Sequence, residues 1–251
     1  MTIKYPDSGD IAGLKELWQQ AFGDDRAFIE GFFETGFSEK RCRLIKTGNR
    51  VAAALYWFDC RCRGEKMAYI YAVATAQDFR GKGLCAKLME DTHGLLTEQG
   101  YAGAILVPAE DTLFIMYSKY AYTPVCPRKK VPAAQGQTPV KLQKIHAETY
   151  RGLRQSMLPE GGVEQDAPAL AYLGTYCDFY QGEGFLLCGA VRDGRLYVQE
   201  FLGDTQNMGG ILLSLGVEEG EFPCPGGAEY AMFRSFREHV LPPAYFGLPL
   251  D

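Results

Sequence analysis

A chain of 251 residues is long enough for one large domain or two small ones, each with its own hydrophobic core. Its net charge of −5 and its lack of an extended basic stripe argue against nucleic acid as a partner. No apolar run approaches the ~18 residues that predict a membrane span, and the N-terminal MTIKYPDSGD lacks the apolar stretch of a secretory signal. We therefore expect a cytoplasmic protein without a membrane partner.

The eight cysteines are scattered, with no C-x-x-C pair, and only three histidines accompany them. A zinc site needs several such ligands at close spacing, so we predict no metal site. Reduced thiols are the expected state of these cysteines in the cytoplasm.

The first third of the chain predicts two helices followed by a meander of strands. Residues 10–23 place apolar residues at helical spacing between Asp10, which can cap the start, and Gly23, which can end the helix. Residues 25–37 predict a second helix with phenylalanines along one side. The predicted strands are RCRLIKT (41–47), VAAALYWFDCR (51–61) and MAYIYAVAT (67–75).

A third helix is predicted from residue 84 to about residue 98, with Leu84, Leu88 and Leu95 on its apolar face. His93 points away from that face, which predicts a surface histidine. The elements predicted next are a strand at 101–109, a short helix at 110–120 and a strand at 121–125.

The periodicity breaks at PRKKVPAAQGQTPVK (127–141), where three prolines and a basic triplet predict a linker over residues 127–140. Beyond it the order repeats in part. The predicted elements are helices at 144–158 and 167–180, a hairpin about RDGR (192–195), a helix at 205–216 and a strand at 228–236. We therefore expect a first domain over residues 1–126 and a shortened second copy over 141–251, without the glycine motif of the first.

That motif lies in VATAQDFRGKGLCAKLM (73–89), between a predicted strand and a predicted helix. Its glycines let backbone N–H groups turn toward one point, and the start of a helix adds unpaired N–H donors and partial positive charge. Such a site suits a pyrophosphate. The run fits neither the P-loop pattern nor G-x-G-x-x-G, and a G-x-G by itself indicates a plain turn equally often.

The run resembles the acetyl-CoA motif of the GNAT N-acetyltransferase superfamily, [RQ]-x-x-G-x-[GA]. The residues that match are Arg80, Gly81, Lys82, Gly83 and Leu84, while Cys85 stands where glycine or alanine is usual. The resemblance implies an α/β fold with a mixed sheet, and acetyl-CoA bound by residues 80–85. It also implies main-chain pairing of the pantetheine arm with Val73, Ala74 and Thr75. The longer sequence, Val73-Ala74-Thr75 followed by Arg80-Gly81, further resembles family members with two tandem GNAT-like domains, including the Eis type.

A second resemblance lies in LFIMYSKYAY (113–122), where the family shows Y-x-K-x-G-[FY]. Tyr117, Lys119 and Tyr122 match this pattern, and Ala121 replaces the glycine. The resemblance implies that Tyr117 is the general acid beside the sulfur of coenzyme A; the alternative is a packing role. Full proton transfer from a tyrosine to a free thiolate is uphill by roughly 2 kcal/mol, so a hydrogen bond to the developing thiolate fits better.

The attacking amine must be neutral, so a general base or a water chain is expected. The strand at 67–75 carries no carboxylate, where many family members place one. Glu110 and Asp111 are candidates, although they serve equally well as helix caps. In Eis-type proteins the C-terminal carboxylate acts as the base, which implies the same role for Asp251; alternatively, the aromatic tail simply closes the second domain.

The resemblance implies transfer of an acetyl group from acetyl-CoA to an unidentified primary amine, by direct attack in a ternary complex. Two alternatives stay open: an acyltransferase with another donor, and a GNAT-like module that binds acyl-CoA without turnover. The oligomeric state is not predicted.

Overall fold

The computed structural model describes residues 2–250, and the chain divides into two compact units. The first unit comprises residues 2–124 and 232–242, and the second comprises 125–231 and 243–250. Each unit therefore combines two stretches of chain, whereas the sequence predicts two uninterrupted domains.

The first unit contains the predicted helices and strands in the predicted order, preceded by a short strand that was not predicted. Its helices are α1 (Ile11–Phe22), α2 (Arg26–Thr35), α3 (Leu84–Glu98) and α4 (Asp111–Ser118). Its strands are β1 (Thr2–Lys4), β2 (Cys42–Thr47), β3 (Arg50–Cys62), β4 (Glu65–Thr75) and β5 (Gly103–Leu106), together with residues 232–235.

The ends of α1 and α2 follow from local chemistry. Gly23 ends α1 with a φ of 75°, a left-handed conformation that glycine adopts without strain. The carboxylate of Asp25 caps α2 by accepting the N–H of Phe28 at 2.8 Å. Asp10 precedes α1 as predicted, but its buried carboxylate accepts hydrogen bonds from lysine side chains instead of capping that helix.

Strands β1 to β4 pair antiparallel in chain order, and β5 then pairs parallel to β4. Within the described residues, this parallel pairing covers only Met67–Tyr69 with Gly103–Ile105, although β4 continues to Thr75. Ala72, at a φ of 47°, lies where the register between β3 and β4 shifts. Residues 73–75 consequently leave one main-chain edge of β4 without β5 as a partner.

One face of this sheet packs against α3 and α4 in a buried apolar cluster. Members of the cluster include Leu55, Trp57, Ala68, Ile70, Leu84, Leu88, Met89, Leu106, Tyr117, Tyr122 and Met232. At about 25 cal/mol per Å² of buried apolar surface, such a cluster is the main stabilising term of the unit. It also fixes the starts of α3 and α4 relative to the end of β4.

The second unit repeats the element order of the first in shortened form. Its helices are α5 (Ala147–Met157), α6 (Ala167–Leu173) and α7 (Met208–Leu215). Its strands are β6 (Thr123–Ala134), β7 (Gln143–Ile145), β8 (Glu164–Gln165), β9 (Asp178–Gly182), β10 (Phe185–Arg192), β11 (Arg195–Leu202), β12 (Glu219–Pro225) and β13 (Ala228–Ser235). Only residues 228–231 of β13 belong to this unit, since the rest of that strand belongs to the first. Within residues 2–250, no helix is long and apolar enough to cross a bilayer.

Each unit contains a pair of parallel strands, and in both units a helix connects the two strands of that pair. β9, β10 and β11 are antiparallel, α7 follows, and β12 then pairs parallel to β11 over Arg195–Tyr197 with Glu219–Glu221. The first unit has the same arrangement in β2, β3, β4, α3 and β5. The chain is thus an α/β protein with a mixed sheet, as predicted, and its second unit has a shorter version of the strand and helix order of the first.

Residues 127–140 differ from the predicted linker. β6 runs to Ala134 and pairs antiparallel with β12 from Arg128 to Ala134. The prolines suggested a linker because proline has no N–H to donate. In an antiparallel pair, however, a strand donates to a given neighbour only at alternate residues, so a proline is compatible at the others.

Candidate active site

Local hydrogen bonds stabilise the loop between β4 and α3, residues 76–83. Gly81 and Gly83 have φ angles of 74° and 73°, a region that favours glycine. The ammonium of Lys82 donates to the carbonyl of Asp78 at 2.8 Å, and the carboxylate of Asp78 pairs with Arg50 at 2.7 Å. The predicted glycine turn is therefore preorganised at the start of α3.

Gly83 is the N-cap residue of α3, and the N–H groups of the first helical turn have no acceptor within the helix. The helix dipole adds partial positive charge at this point. A Cβ built on Gly81 or Gly83 would meet none of the described atoms within 4 Å. The start of α3 thus combines N–H donors, positive charge and open space, which is the arrangement that binds phosphate groups.

A cavity of about 320 Å³ opens beside the start of α3, entirely within the first unit. Its lining consists of Ala21, Phe22, Val73, Ala74, Thr75, Phe79, Arg80, Gly81, Gly83, Leu84, Cys85, Ala86, Leu113, Met116, Tyr117 and Tyr120. We call it the α3 cavity. It brings together every predicted acetyl-CoA-binding residue except Lys82, and also includes Tyr117.

The edge of β4 forms one wall of the α3 cavity. Ala74 and Thr75 pair with β3 on one side, through Ala54 and Ala53. On the other side, Arg80 Nε donates to the carbonyl of Thr75 at 3.2 Å. The remaining main-chain groups of this edge are available to an extended ligand that adds to the sheet as a strand does.

The opposite wall comes from one face of α4. Leu113, Met116 and Tyr117 lie at helical spacing, and Tyr120 continues the stripe just beyond the helix. The Tyr117 ring is only 7% exposed. Burial and the adjacent Cys85 raise the pKa of the Tyr120 hydroxyl to about 12, and burial also raises the pKa of the Cys85 thiol. At neutral pH both groups are uncharged.

The predicted carboxylates lie elsewhere. Glu110 is the N-cap residue of α4 and accepts a hydrogen bond from Thr112 Oγ1 at 2.8 Å, outside the lining of the α3 cavity. Among residues 2–250, no aspartate, glutamate or histidine lines this cavity. Asp251 lies outside the described residues, and the tail before it is buried in the second unit at Phe246, Leu248 and Leu250.

Over the same residues, no group of three or more histidine, cysteine, aspartate or glutamate side chains is arranged to hold a metal ion.

The prediction that His93 is a surface residue is wrong. Its ring is 3% exposed and lies 5.5 Å from the ring of Phe236. Its Nε2 is 2.9 Å from the Tyr122 hydroxyl, and its Nδ1 is 2.9 Å from Arg234 Nη1. The helical spacing missed this environment because Arg234 and Phe236 come from the distant stretch 232–242. Burial, together with the charge of Arg234, lowers the pKa of His93 to about 3.

The neutral, buried His93 predicts an acid-sensitive first unit. Unfolded histidine takes up a proton below about pH 6.5, whereas folded His93 stays neutral until about pH 3. The stability that neutral His93 contributes to the folded state is therefore complete above pH 6.5. It is lost as the pH falls below this value, at about 1.4 kcal/mol per pH unit. When the pH is lowered from 7 to 5, the unfolding free energy of the parent should therefore fall by about 2 kcal/mol more than that of His93→Gln.

Urea titrations followed by tryptophan fluorescence measure this difference, because both tryptophans, Trp18 and Trp57, lie in the first unit. Equal losses in the parent and His93→Gln would show that His93 does not carry the acid sensitivity.

Ala121, which replaces the usual glycine, has a φ of 60°. The left-handed conformation destabilises a folded alanine by about 1–2 kcal/mol relative to glycine. Glycine offsets part of this gain, because its unfolded state is more flexible and therefore loses more entropy on folding. We expect Ala121→Gly to raise the unfolding free energy by about 0.5–1 kcal/mol. The same exchange at the exposed Ala27, within α2, should lower it. The tryptophan urea titration distinguishes the two directions, and destabilisation by Ala121→Gly would contradict the argument.

Several residues of the cavity were not predicted. Leu113, Met116 and Tyr120 share one helical stripe with the predicted Tyr117, and this spacing is a signal from which a cavity wall could have been proposed. Ala21 and Phe22, at the end of α1, carry no local signal, since their apolar character fits the core equally well.

The second unit has no comparable open space at the start of α7, in the part of the chain that the structure describes. Gly136 N–H donates to the carbonyl of Gly209 at 2.9 Å, and Val140 N–H donates to Ser214 Oγ at 3.0 Å. A Cβ on Gly210 would lie 2.8 Å from the carbonyl oxygen of Thr138. The segment that follows β6 therefore packs on the helix that corresponds to α3.

Comparison with known proteins agrees with this geometry. Residues 2–125 match the family model of the acetyltransferase (GNAT) domain. No curated protein sequence matches the chain.

Among solved structures, a GCN5-related N-acetyltransferase from Anabaena variabilis superposes with a TM-score of 0.72 at 16% identity, covering 94% of this chain and 73% of the other. Eis1 from Mycobacterium abscessus superposes with a TM-score of 0.68 at 9% identity, covering 94% of this chain and 74% of the other. For a putative acetyltransferase from Pyrococcus horikoshii the TM-score is 0.64 at 14% identity, covering 98% of this chain and 93% of the other. At these identities the likeness concerns the fold. Residues 2–125 thus match the GNAT acetyltransferase domain, and the fold of the chain resembles that of Eis1.

Proposed function

We propose that this protein transfers an acetyl group from acetyl-CoA to a primary amine, by direct attack within a ternary complex. The observation that carries the proposal is the α3 cavity, because it joins a phosphate-binding helix start, a strand edge and a buried tyrosine in one space. These three features match the three parts of the co-substrate: its pyrophosphate, its pantetheine arm and its thioester.

In this proposal the pyrophosphate lies on the N–H groups of Gly81 to Ala86, with Arg80 adding positive charge. The helix dipole and these donors attract the anion without a metal ion. Lys82 contributes charge at longer range, since its ammonium is bound to Asp78 and lies 5.1 Å from the centre of the Phe79 ring.

The pantetheine arm then runs along the edge of β4 and exchanges main-chain hydrogen bonds with Val73–Thr75. The cavity that this edge lines also has Tyr117 of α4 in its lining. As the amine attacks the thioester carbonyl carbon, the C–S bond breaks and negative charge develops on sulfur. The Tyr117 hydroxyl donates a hydrogen bond to that sulfur, and the amine loses its proton to a base.

The amine must give up a proton when it attacks the thioester. Glu110 and Asp251 are the carboxylates that we propose as candidates, and a water chain reaching the cavity would serve as well. Glu110→Gln, Asp251→Asn and a variant with a short polar tail added after Asp251, which moves the terminal carboxylate, would identify a carboxylate base by loss of the acidic limb in the pH profile of kcat/KM.

One observation favours the second candidate, a module that binds acyl-CoA without turnover. No carboxylate or histidine among the described residues lines the α3 cavity. Such a module keeps the phosphate site and strand edge but has no means of removing the amine proton.

Thiol release from acetyl-CoA, measured with a panel of polyamines, aminoglycosides, amino acids and lysine peptides, tests the proposal. We expect release that depends on one class of amine, with the acetamide identified by mass spectrometry. Calorimetric binding of acetyl-CoA without thiol release for any amine would instead support the binding module. Replacing acetyl-CoA with propionyl-CoA or longer acyl-CoA tests the alternative donor.

A further inference from the structure

A chain of hydrogen bonds lies behind the α4 wall of the α3 cavity. Arg234 Nη1 is 2.9 Å from His93 Nδ1 and also 2.9 Å from the carbonyl oxygen of Tyr120. His93 Nε2 in turn lies 2.9 Å from the Tyr122 hydroxyl. His93 and Tyr122 are almost completely buried, with 3% and 1% exposure.

The donors and acceptors of this chain fix its direction. One guanidinium nitrogen carries two hydrogens and accepts none, so Arg234 Nη1 can donate to both of its neighbours. His93 Nδ1 must then be the acceptor, which places the ring proton on Nε2. That N–H donates to the oxygen of Tyr122. Each bond therefore determines the next.

The chain holds the segment that carries Tyr117. The N–H groups of Tyr120 and Tyr122 both donate to the carbonyl of Tyr117, at 2.9 and 3.3 Å. The Tyr122 ring meets the Tyr117 ring edge-on, with centroids 6.0 Å apart. Arg234 anchors the Tyr120 carbonyl, and His93 anchors the Tyr122 hydroxyl. The turn is thus fixed at two points, while the side chains of Tyr117 and Tyr120 face the cavity.

We propose that Arg234, His93 and Tyr122 are positioning residues that orient Tyr117 for the reaction. This inference rests on the function proposed above. The stretch 232–242, which the chain returns to the first unit, supplies Arg234, so it does more than complete the sheet. A loosened turn would move the Tyr117 hydroxyl away from the thioester sulfur, and a displacement of about 1 Å is enough to cost a large part of the rate.

Tyr122→Phe and Arg234→Met test the proposal by thiol release with the best amine of the panel. We expect kcat to fall roughly tenfold or more, with KM for acetyl-CoA changed by less than about twofold. In a Tyr117→Phe background the same substitutions should lower kcat by less than about twofold, since the group they orient is gone. His93→Gln keeps an acceptor for Arg234 and a donor for Tyr122, so it should retain far more activity than His93→Phe.

Two matched controls separate positioning from a general loss of stability. Tyr101→Phe removes another buried tyrosine hydroxyl of the same core, one that donates to Asp59. Arg237→Met removes an arginine from the same late stretch, where it pairs with Glu65 at the surface. Both controls should keep the parent's kcat.

The outcomes distinguish this inference from the proposed function. Parental kcat in folded Tyr122→Phe and Arg234→Met, while Tyr117→Phe is impaired, would overturn the positioning network alone. The same would follow if the network substitutions cost as much in the Tyr117→Phe background as in the parent. If the parent releases no thiol with any amine, the proposed function fails and the network inference falls with it. Should Arg234→Met not fold, Tyr122→Phe still decides the question.

Discussion

Tyr117→Phe is expected to lower kcat by about 10²-fold or more while leaving the affinity for acetyl-CoA within about threefold of the parent. The phenyl ring keeps the packing against Tyr122 and the wall of the α3 cavity, so the fold and the ground-state complex should persist. The hydroxyl is needed only as negative charge develops on sulfur, and its loss therefore appears in kcat. Steady-state kinetics and calorimetry measure the two quantities separately.

Tyr120→Phe is the matched control, because Tyr120 lines the same cavity about one turn away. The raised pKa of its hydroxyl, about 12, makes it a weak proton donor, and its contact with Cys85 points to packing. We expect a much smaller effect on kcat than for Tyr117→Phe. Equal losses in both variants, or near-parental turnover in Tyr117→Phe, would remove Tyr117 from the chemistry.

Gly83→Glu is expected to weaken acetyl-CoA binding by about 10²-fold or more, because it places a carboxylate where the pyrophosphate would lie. The φ of 73° adds backbone strain for any side chain, so the variant should also be less stable. Calorimetry with acetyl-CoA gives the affinity, and thermal unfolding gives the fraction folded.

Gly83→Ala and Gly83→Gln separate the causes of that loss. Alanine introduces the same backbone strain, and its Cβ meets none of the described atoms within 4 Å, so it should bind acetyl-CoA nearly as the parent does. Glutamine matches the size of glutamate without the charge, so the acetyl-CoA affinity of Gly83→Gln should lie between those of Gly83→Ala and Gly83→Glu. Unchanged affinity in folded Gly83→Glu would show that the pyrophosphate lies elsewhere.

The motif at 80–85 could be predicted because its chemistry is local. Two glycines with positive φ, a basic side chain and a helix start are adjacent in the sequence, so their arrangement needs no distant partner. The same holds for Gly23, which ends α1 as predicted, whereas the carboxylate of Asp10 binds lysines instead of capping that helix. Tyr117 was found through a pattern that also placed it on a short helix, and the structure puts it in the lining of the α3 cavity.

The network behind Tyr117 could not be predicted, because its partners are far apart in the chain. Arg234 lies 141 residues after His93, in the strand segment that pairs with β5. The hydrophobic pattern of α3 assigned His93 to the surface because it records only the apolar face. The same long-range pairing explains the misjudged linker: β6 is stabilised by β12, and nothing in PRKKVPAA itself indicates that partner.

The fate of the acetyl group tests the central claim most directly. Stoichiometric protein and acetyl-CoA labelled in the acetyl group would be mixed, quenched at short times and analysed by mass spectrometry, before and after addition of the active amine. Direct attack in a ternary complex predicts that the label stays on coenzyme A until the amine arrives, and then appears on the amine with one thiol released per acetamide. Label on the protein before amine addition, or thiol released without acetamide, would contradict it.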